Sequence, residues 1–206
     1  MRHIKLFEEV TKAYSWDELS AEAKEKAIER NRDINIDNTH WHEDVINDAT
    51  EKLYDDGVEY VEILYSGFNS QGDGASFTGR VRDPKIWLKV IGMENIPEEV
   101  EDLIWAQISR KPSRYYHENS VGLNFQFETD DPIVTCYPFG PEIPMEYNLD
   151  QLQREIEEKG EKWIKSTCRK IYSDLEKEYD SLTSDDAVED ALIANDYEYN
   201  EDGNII

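Results

Sequence analysis

A chain of 206 residues that is 38% hydrophobic, with 5 Trp, 12 Tyr and 6 Phe, carries enough apolar surface to offset the entropy of ordering, which excludes global disorder. Its 47 Asp and Glu against 22 Lys and Arg give a formal net charge of -25, a field that repels phosphate. Direct binding of nucleic acid is therefore not expected, and a charged partner should be basic.

No run of about 18 apolar residues exists, and the opening Met1-Arg-His-Ile-Lys-Leu-Phe lacks the apolar core of a signal peptide. The expectation is a cytoplasmic protein without a membrane span. Cys136 and Cys168 stand far apart with no CxxC spacing, which suits buried thiols in a reducing compartment. The pattern predicts a single α+β domain over 1–206, an antiparallel sheet with packed helices. A long C-terminal amphipathic helix completes it, and 148–206 form an acidic, mostly helical part.

Ser20 is a good N-cap for a helix over about 20–31, and Trp41, Val45, Ala49, Leu53 and Tyr54 recur near a spacing of four, predicting a helix over about 38–55 that stops at Gly57. The β-branched and aromatic run Tyr60–Tyr65 reads as a strand, with a second through Ala75–Val81 after a glycine-rich connection. Pro97 is expected to open a helix carrying Val100, Leu103, Ile104 and Ile108. Tyr115–Glu128 alternates through Val121, Leu123, Phe125 and Phe127 as a strand with one buried face, and Pro132–Pro144, with four of the seven prolines, should be irregular. From Asn148 to Leu182 apolar residues fall at spacings of three and four, one long helix with a kink expected near Gly160. Ser184 caps a shorter helix over Asp185–Ala194, and Asp196–Ile206 reads as a short strand entering an Asp-Gly turn.

Ser66, Gly67, Phe68, Asn69, Ser70, Gln71, Gly72, Asp73 and Gly74 place three glycines among donors and acceptors between the first two strands. Such a loop either presents backbone amides to an anion or simply satisfies its own polar groups. It is not a Walker loop, because Gly74 leads into Ala75 and a strand, nor a calcium loop, because Arg80 stands where a glutamate is required. Arg80, Arg82, Lys85 and Lys89 follow as a basic strip, and Arg80 and Arg82 alternate onto one strand face where they either neutralise neighbouring carboxylates or hold a small anion.

The Ser66–Phe77 segment resembles a family of bacteriophage-encoded proteins with a Ser-Gly-Phe-x-Ser-Gln-Gly-Asp-Gly-Ala-Ser/Cys-Phe core. Asp17-Glu-Leu-Ser20, the Trp41 region and Thr183–Tyr199 are similar as well. The resemblance implies a phage origin and an accessory role against host defence or host enzymes, with no particular activity attached.

No set of residues earns a catalytic assignment. His40-Trp-His42-Glu-Asp44 begins like a zinc-hydrolase signature, but Val45 replaces its last histidine, so no metal site is expected. Asp130 and Asp131 can join Asp73 around a divalent cation only if the fold brings them together, and Cys136 has no adjacent histidine. No cofactor is expected.

Asp174 to Asp202 contains twelve carboxylates and one lysine, including Asp185, Asp186, Glu189 and Asp190. The leading functional expectation is inhibition of a host protein with a basic surface, the carboxylates occupying the place of nucleic acid, while a plain solubilising surface explains the same charge at least as well. A protein that binds a small anion or nucleotide signal at the glycine-rich loop is the alternative, followed by a metal-dependent hydrolase.

Overall fold

The structure is a computed structural model that describes residues 12–37, 40–68, 70–136 and 145–206. It is an α+β protein whose described residues divide into two compact units, 43–176 and 12–42 with 177–206.

The larger unit begins with helix α2 (Glu43–Asp55), preceded in the chain by α1 (Ala21–Arg30) of the other unit. Strands β1 (Val58–Tyr65), β2 (Ala75–Val81), β3 (Ile104–Arg110) and β4 (Val121–Phe127) form an antiparallel sheet in the order β1-β2-β3-β4. Between β2 and β3 lie α3 (Pro84–Val90) and the single turn α4 (Glu98–Glu101). A second ladder pairs β5 (Ile133–Cys136) with β6 (Met145–Asn148), and α5 runs over Leu149–Leu182.

Alternation decides which face is covered. Phe77 on β2, Ile108 on β3 and Phe125 on β4 are buried on the face beneath α5, where Trp163 meets Phe77 edge-on at 5.8 Å between ring centroids. Helix α5 is continuous through Gly160, where neighbours leave no room for a side chain: a Cβ there would stand 2.7 Å from Leu123 Cδ2 and 3.2 Å from Trp87 Cζ2. The opposite sheet face carries Thr78, Arg80, Gln107, Asn124 and Gln126, none of them buried.

The smaller unit packs α1 against α6 (Asp185–Ala194) around buried Trp16, Leu19, Ala27, Val188, Leu192 and Tyr199. Ser20 and Ser184 cap the two helices, accepting from the Ala23 and Ala187 amides. Tyr199 bridges to Tyr14 and to Ile205 across a turn held by Gly203 at φ +77°.

Four expectations are corrected. The helix predicted over 38–55 begins at Glu43, with 40–42 in turns and 38–39 outside the described residues. The helix expected from Pro97 lasts one turn, after which Ile104 and Ile108 sit in β3, where they pair with Phe127 and Leu123. The strand expected from Tyr115 starts at Val121, because both the amide and the hydroxyl of Ser120 donate to the His117 carbonyl and close a turn (2.8 and 2.7 Å). Finally, 133–136 of the segment expected to be irregular form β5, since Pro132 stands before the strand and keeps its acceptor, taking the Leu149 amide at 3.0 Å. Residues 137–144 lie outside the described residues.

Candidate functional site

The glycine-rich connection is a folded turn at one end of the β1–β2 hairpin. Ser66 and Gly74 close it, the Ser66 amide donating to the Gly74 carbonyl (3.0 Å) and the Gly74 amide to Ser66 Oγ (3.2 Å). Inside it the Ser70 amide donates to Asp73 Oδ2 (2.6 Å) and the Asp73 amide to the Ser70 carbonyl (3.2 Å). Asp73 and the two serines thus satisfy much of the turn's own backbone. Asn69 lies outside the described residues, and Gln71 is exposed.

Each glycine has its own environment. Gly72 has φ +98°, and a Cβ there would meet the Tyr115 ring at 2.8 Å; one on Gly74 would meet His117 Cβ at 2.6 Å and Cα at 2.9 Å. Gly67 has no described residue within 4 Å of the position a Cβ would take. The motif therefore packs against Tyr115–His117, and its second and third glycines are required by that approach. Phe68 stacks between Tyr65 (6.3 Å) and Tyr172 of α5 (5.5 Å), and the Tyr172 hydroxyl donates to the Gly67 carbonyl at 3.5 Å. Burial, with Glu176 and Asp73 nearby, pushes the Tyr172 phenol above its ordinary pKa.

Around this turn stands a set of arginines and tyrosines that the sequence reading overlooked. Arg110 lies over the Tyr116 ring (4.6 Å) and Arg114 over Tyr115 (4.7 Å), while Arg169 of α5 pairs with Glu118 (3.3 Å). The signal was Arg110-Lys-Pro-Ser-Arg-Tyr-Tyr-His117, a basic and aromatic run in an acidic chain.

Arg80 and Arg82 do not join the turn. They sit at the far end of β2, and a strand rising about 3.3 Å per residue places Arg80 about 20 Å from Gly74. Arg80 pairs with Glu59 across the β1–β2 ladder (2.7 Å), and Arg82 lies over the exposed Tyr54 ring (4.4 Å). In the same way Asp73 lies at the end of the sheet where β4 starts, and Asp130 and Asp131 follow the end where β4 finishes. Among the described residues no group of three or more His, Cys, Asp or Glu is placed to hold a metal ion. Both cysteines are buried, and burial pushes the Cys168 thiol up to about 12.

The four carboxylates singled out on α6 divide into two kinds. Asp185 pairs with Arg32 (2.9 Å), and Glu189 Oε1 accepts from Trp16 Nε1 (3.3 Å), so both fasten α6 to its surroundings. Asp186 and Asp190 are exposed, stand one helical turn apart and enter no ion pair or hydrogen bond among the described residues. Ile193, 49% exposed, continues their stripe.

An antiparallel sheet with one face under a long helix, an uncovered polar stretch around Thr78, Arg80 and Gln107 on the other, and a specific glycine turn at one end define an α+β protein organised around surfaces. The chain belongs to the family described as domain of unknown function DUF8835, whose model matches residues 41–185. The match takes in the whole sheet, the glycine-rich turn and α5. Comparison with curated proteins and with solved structures returned no match.

Proposed function

We propose that this is a phage-encoded accessory protein that works by binding: in the host cytoplasm it docks its acidic C-terminal part onto a basic surface of a host protein, in the place of nucleic acid. The observation that supports this most is the division of labour on α6. Asp185 and Glu189 hold the helix, whereas Asp186 and Asp190 project unpaired from a helix capped by Ser184. Residues one turn apart have Cβ atoms about 6 Å from each other, so the two carboxylates project side by side where a basic cleft can read them. No helix among the described residues is long and apolar enough to cross a membrane.

The experiment is a kinetic binding measurement against the host protein recovered by affinity capture, at low and at raised salt. Asp186→Asn with Asp190→Asn should slow association and flatten the salt dependence, with no loss of thermal stability. A complex indifferent to both salt and this double substitution would end the proposal.

A further inference from the structure

The four-stranded sheet is two hairpins joined by a short seam. Strands β1 and β2 are in register at six positions and β3 and β4 at seven, but β2 and β3 at only two. The order β1-β2-β3-β4 leaves β1 and β4 as edges, and the two are built differently. Strand β1 carries defences against the addition of another strand: Glu59 and Glu62, and a bulge between them in which Tyr60 has φ +55°. Strand β4 carries none. It pairs with β3 without a register shift, holds no proline, and lies in a stretch, Asn119–Phe127, without a charged residue, in a chain that is 33% charged.

The ladder decides which groups this edge offers. The Glu128 amide donates to the Leu103 carbonyl (2.7 Å) and the Lys111 amide to the Ser120 carbonyl (2.8 Å), so the even-numbered residues of β4 bond towards β3. The amides and carbonyls of Val121, Leu123, Phe125 and Phe127 point the other way, and no backbone partner meets them among the described residues. Charge differs between the two ends of the strand. Where β4 begins, Lys111 lies over Gly122, and a Cβ on that glycine would stand 3.0 Å from Lys111 Nζ, so the missing side chain leaves the lysine a path towards the edge. Its ammonium is exposed and enters no ion pair among the described residues. Where β4 finishes, Glu128, Asp130 and Asp131 are exposed and likewise form no ion pair there.

We infer that β4 is the interface for a second copy of this chain, paired antiparallel about a two-fold axis at Asn124. That register is the one that uses all four outward residues. Val121 faces the partner's Phe127 and Leu123 the partner's Phe125, each pair exchanging both backbone bonds, while Asn124 faces the partner's Asn124 on the open face. Antiparallel symmetry also sets the basic end of one strand against the acidic end of the other. Lys111, Ser120 and the partner's Glu128 fall in one row on the open face, with about 10 Å between the Cα atoms of the outer two, a gap that extended lysine and glutamate side chains close over Gly122. Two such pairs form by symmetry. Chains at -25 repel one another, and this neutral strand lets them meet with no carboxylate opposite another along its length.

The test is sedimentation velocity of the full chain from about 5 to about 500 µM, where a dimer should be populated at the upper end and dissociate towards the lower. Lys111→Glu or Glu128→Lys alone should weaken the dimer about tenfold or more by setting like charges together, and the two combined should restore it to within about threefold. Asn124→Lys places two ammoniums face to face across the axis from an exposed position, so it should give a monomer with unchanged circular dichroism. In the natural dimer the Leu123 and Phe125 amides should exchange more slowly than in that variant. A monomer at every concentration would overturn the assignment and leave the edge to an extended segment of another protein. A dimer indifferent to Asn124→Lys and to both single reversals would place the contact on another face. Single losses that the double reversal does not repair would refute the register.

Discussion

Replacing Gly74 with alanine should destabilise the larger unit far more than the same change at Gly67, seven residues earlier in one motif. At Gly74 the new Cβ would stand 2.6 Å from His117 Cβ, 2.9 Å from His117 Cα and 3.1 Å from the Tyr116 carbonyl oxygen. Two of those three atoms are backbone, in a turn that Ser120 pins to His117. The segment cannot swing aside as a flexible side chain would, so the cost belongs at the upper end of overpacking, about 3 kcal/mol. For a chain of this size that is a melting-temperature loss of roughly 6–12 °C. At Gly67 no described residue lies within 4 Å of the new Cβ, so the change should be within about 0.5 kcal/mol. Thermal unfolding followed by circular dichroism compares the two, and hydrogen exchange at Ser66–Gly74 localises the effect. If Gly74→Ala melts within a degree or two of Gly67→Ala, the motif's glycines are not there for packing, and the open anion cradle returns.

Four further outcomes are expected. Leu175→Ala, at a fully buried position of α5, should cost about 2–5 kcal/mol in a urea titration. Trp16→Phe removes the bond to Glu189 Oε1 and should lower stability by about 1 kcal/mol, with the spectrum of the folded protein otherwise kept. Trp87→Phe should cost less than its lost volume suggests, because Trp87 Nε1 is buried with no hydrogen-bond partner among the described residues, leaving a penalty of about 1–3 kcal/mol that phenylalanine relieves. The Cys168 thiol, held up to about 12 by burial against an ordinary 9.0, keeps its proton in the folded chain while the unfolded chain loses it. Stability should therefore fall as pH rises from about 9 towards 12, by roughly 1 kcal/mol per unit, and the difference from Cys168→Ala in urea midpoints at pH 9 and 11 isolates that slope from the tyrosines titrating there.

The sequence was most legible where one local rule spoke alone. Ser20 and Ser184 announced two helix starts, and the three-and-four spacing from Leu149 to Leu182 carried α5 to its observed ends. It misled where two periods fitted the same residues. Val100, Leu103, Ile104 and Ile108 suit a helix, but Ile104, Ala106 and Ile108 also alternate, and pairing with β4 selects the strand. Helix α3 was missed although Asp83 caps it, accepting from the Ile86 amide, and Pro84 begins it. The glycine turn was identified as special, but the partner that makes it so, Tyr115–His117, is some forty residues away and no local pattern connects them. Arg80 and Arg82 were placed beside that turn by adjacency along the chain, where strand length carries them to the opposite end.

The two-hairpin construction also sets an order of events during synthesis. Each hairpin closes locally, with β1 next to β2 and β3 next to β4 in the chain, so both can form as soon as they emerge. Their shared apolar face, with Phe77, Ile108 and Phe125, then waits for Trp163 and Ile164 of α5, about 40 residues after the end of β4. At about 5–20 residues per second the ribosome takes seconds to deliver that cover. For that interval the nascent chain displays an aromatic sheet face to solvent, a state open to chaperone capture and to pairing with a second nascent copy. Slowing translation across 128–163 should lengthen the exposure and raise the aggregated fraction, whereas the finished, released chain is insensitive to it.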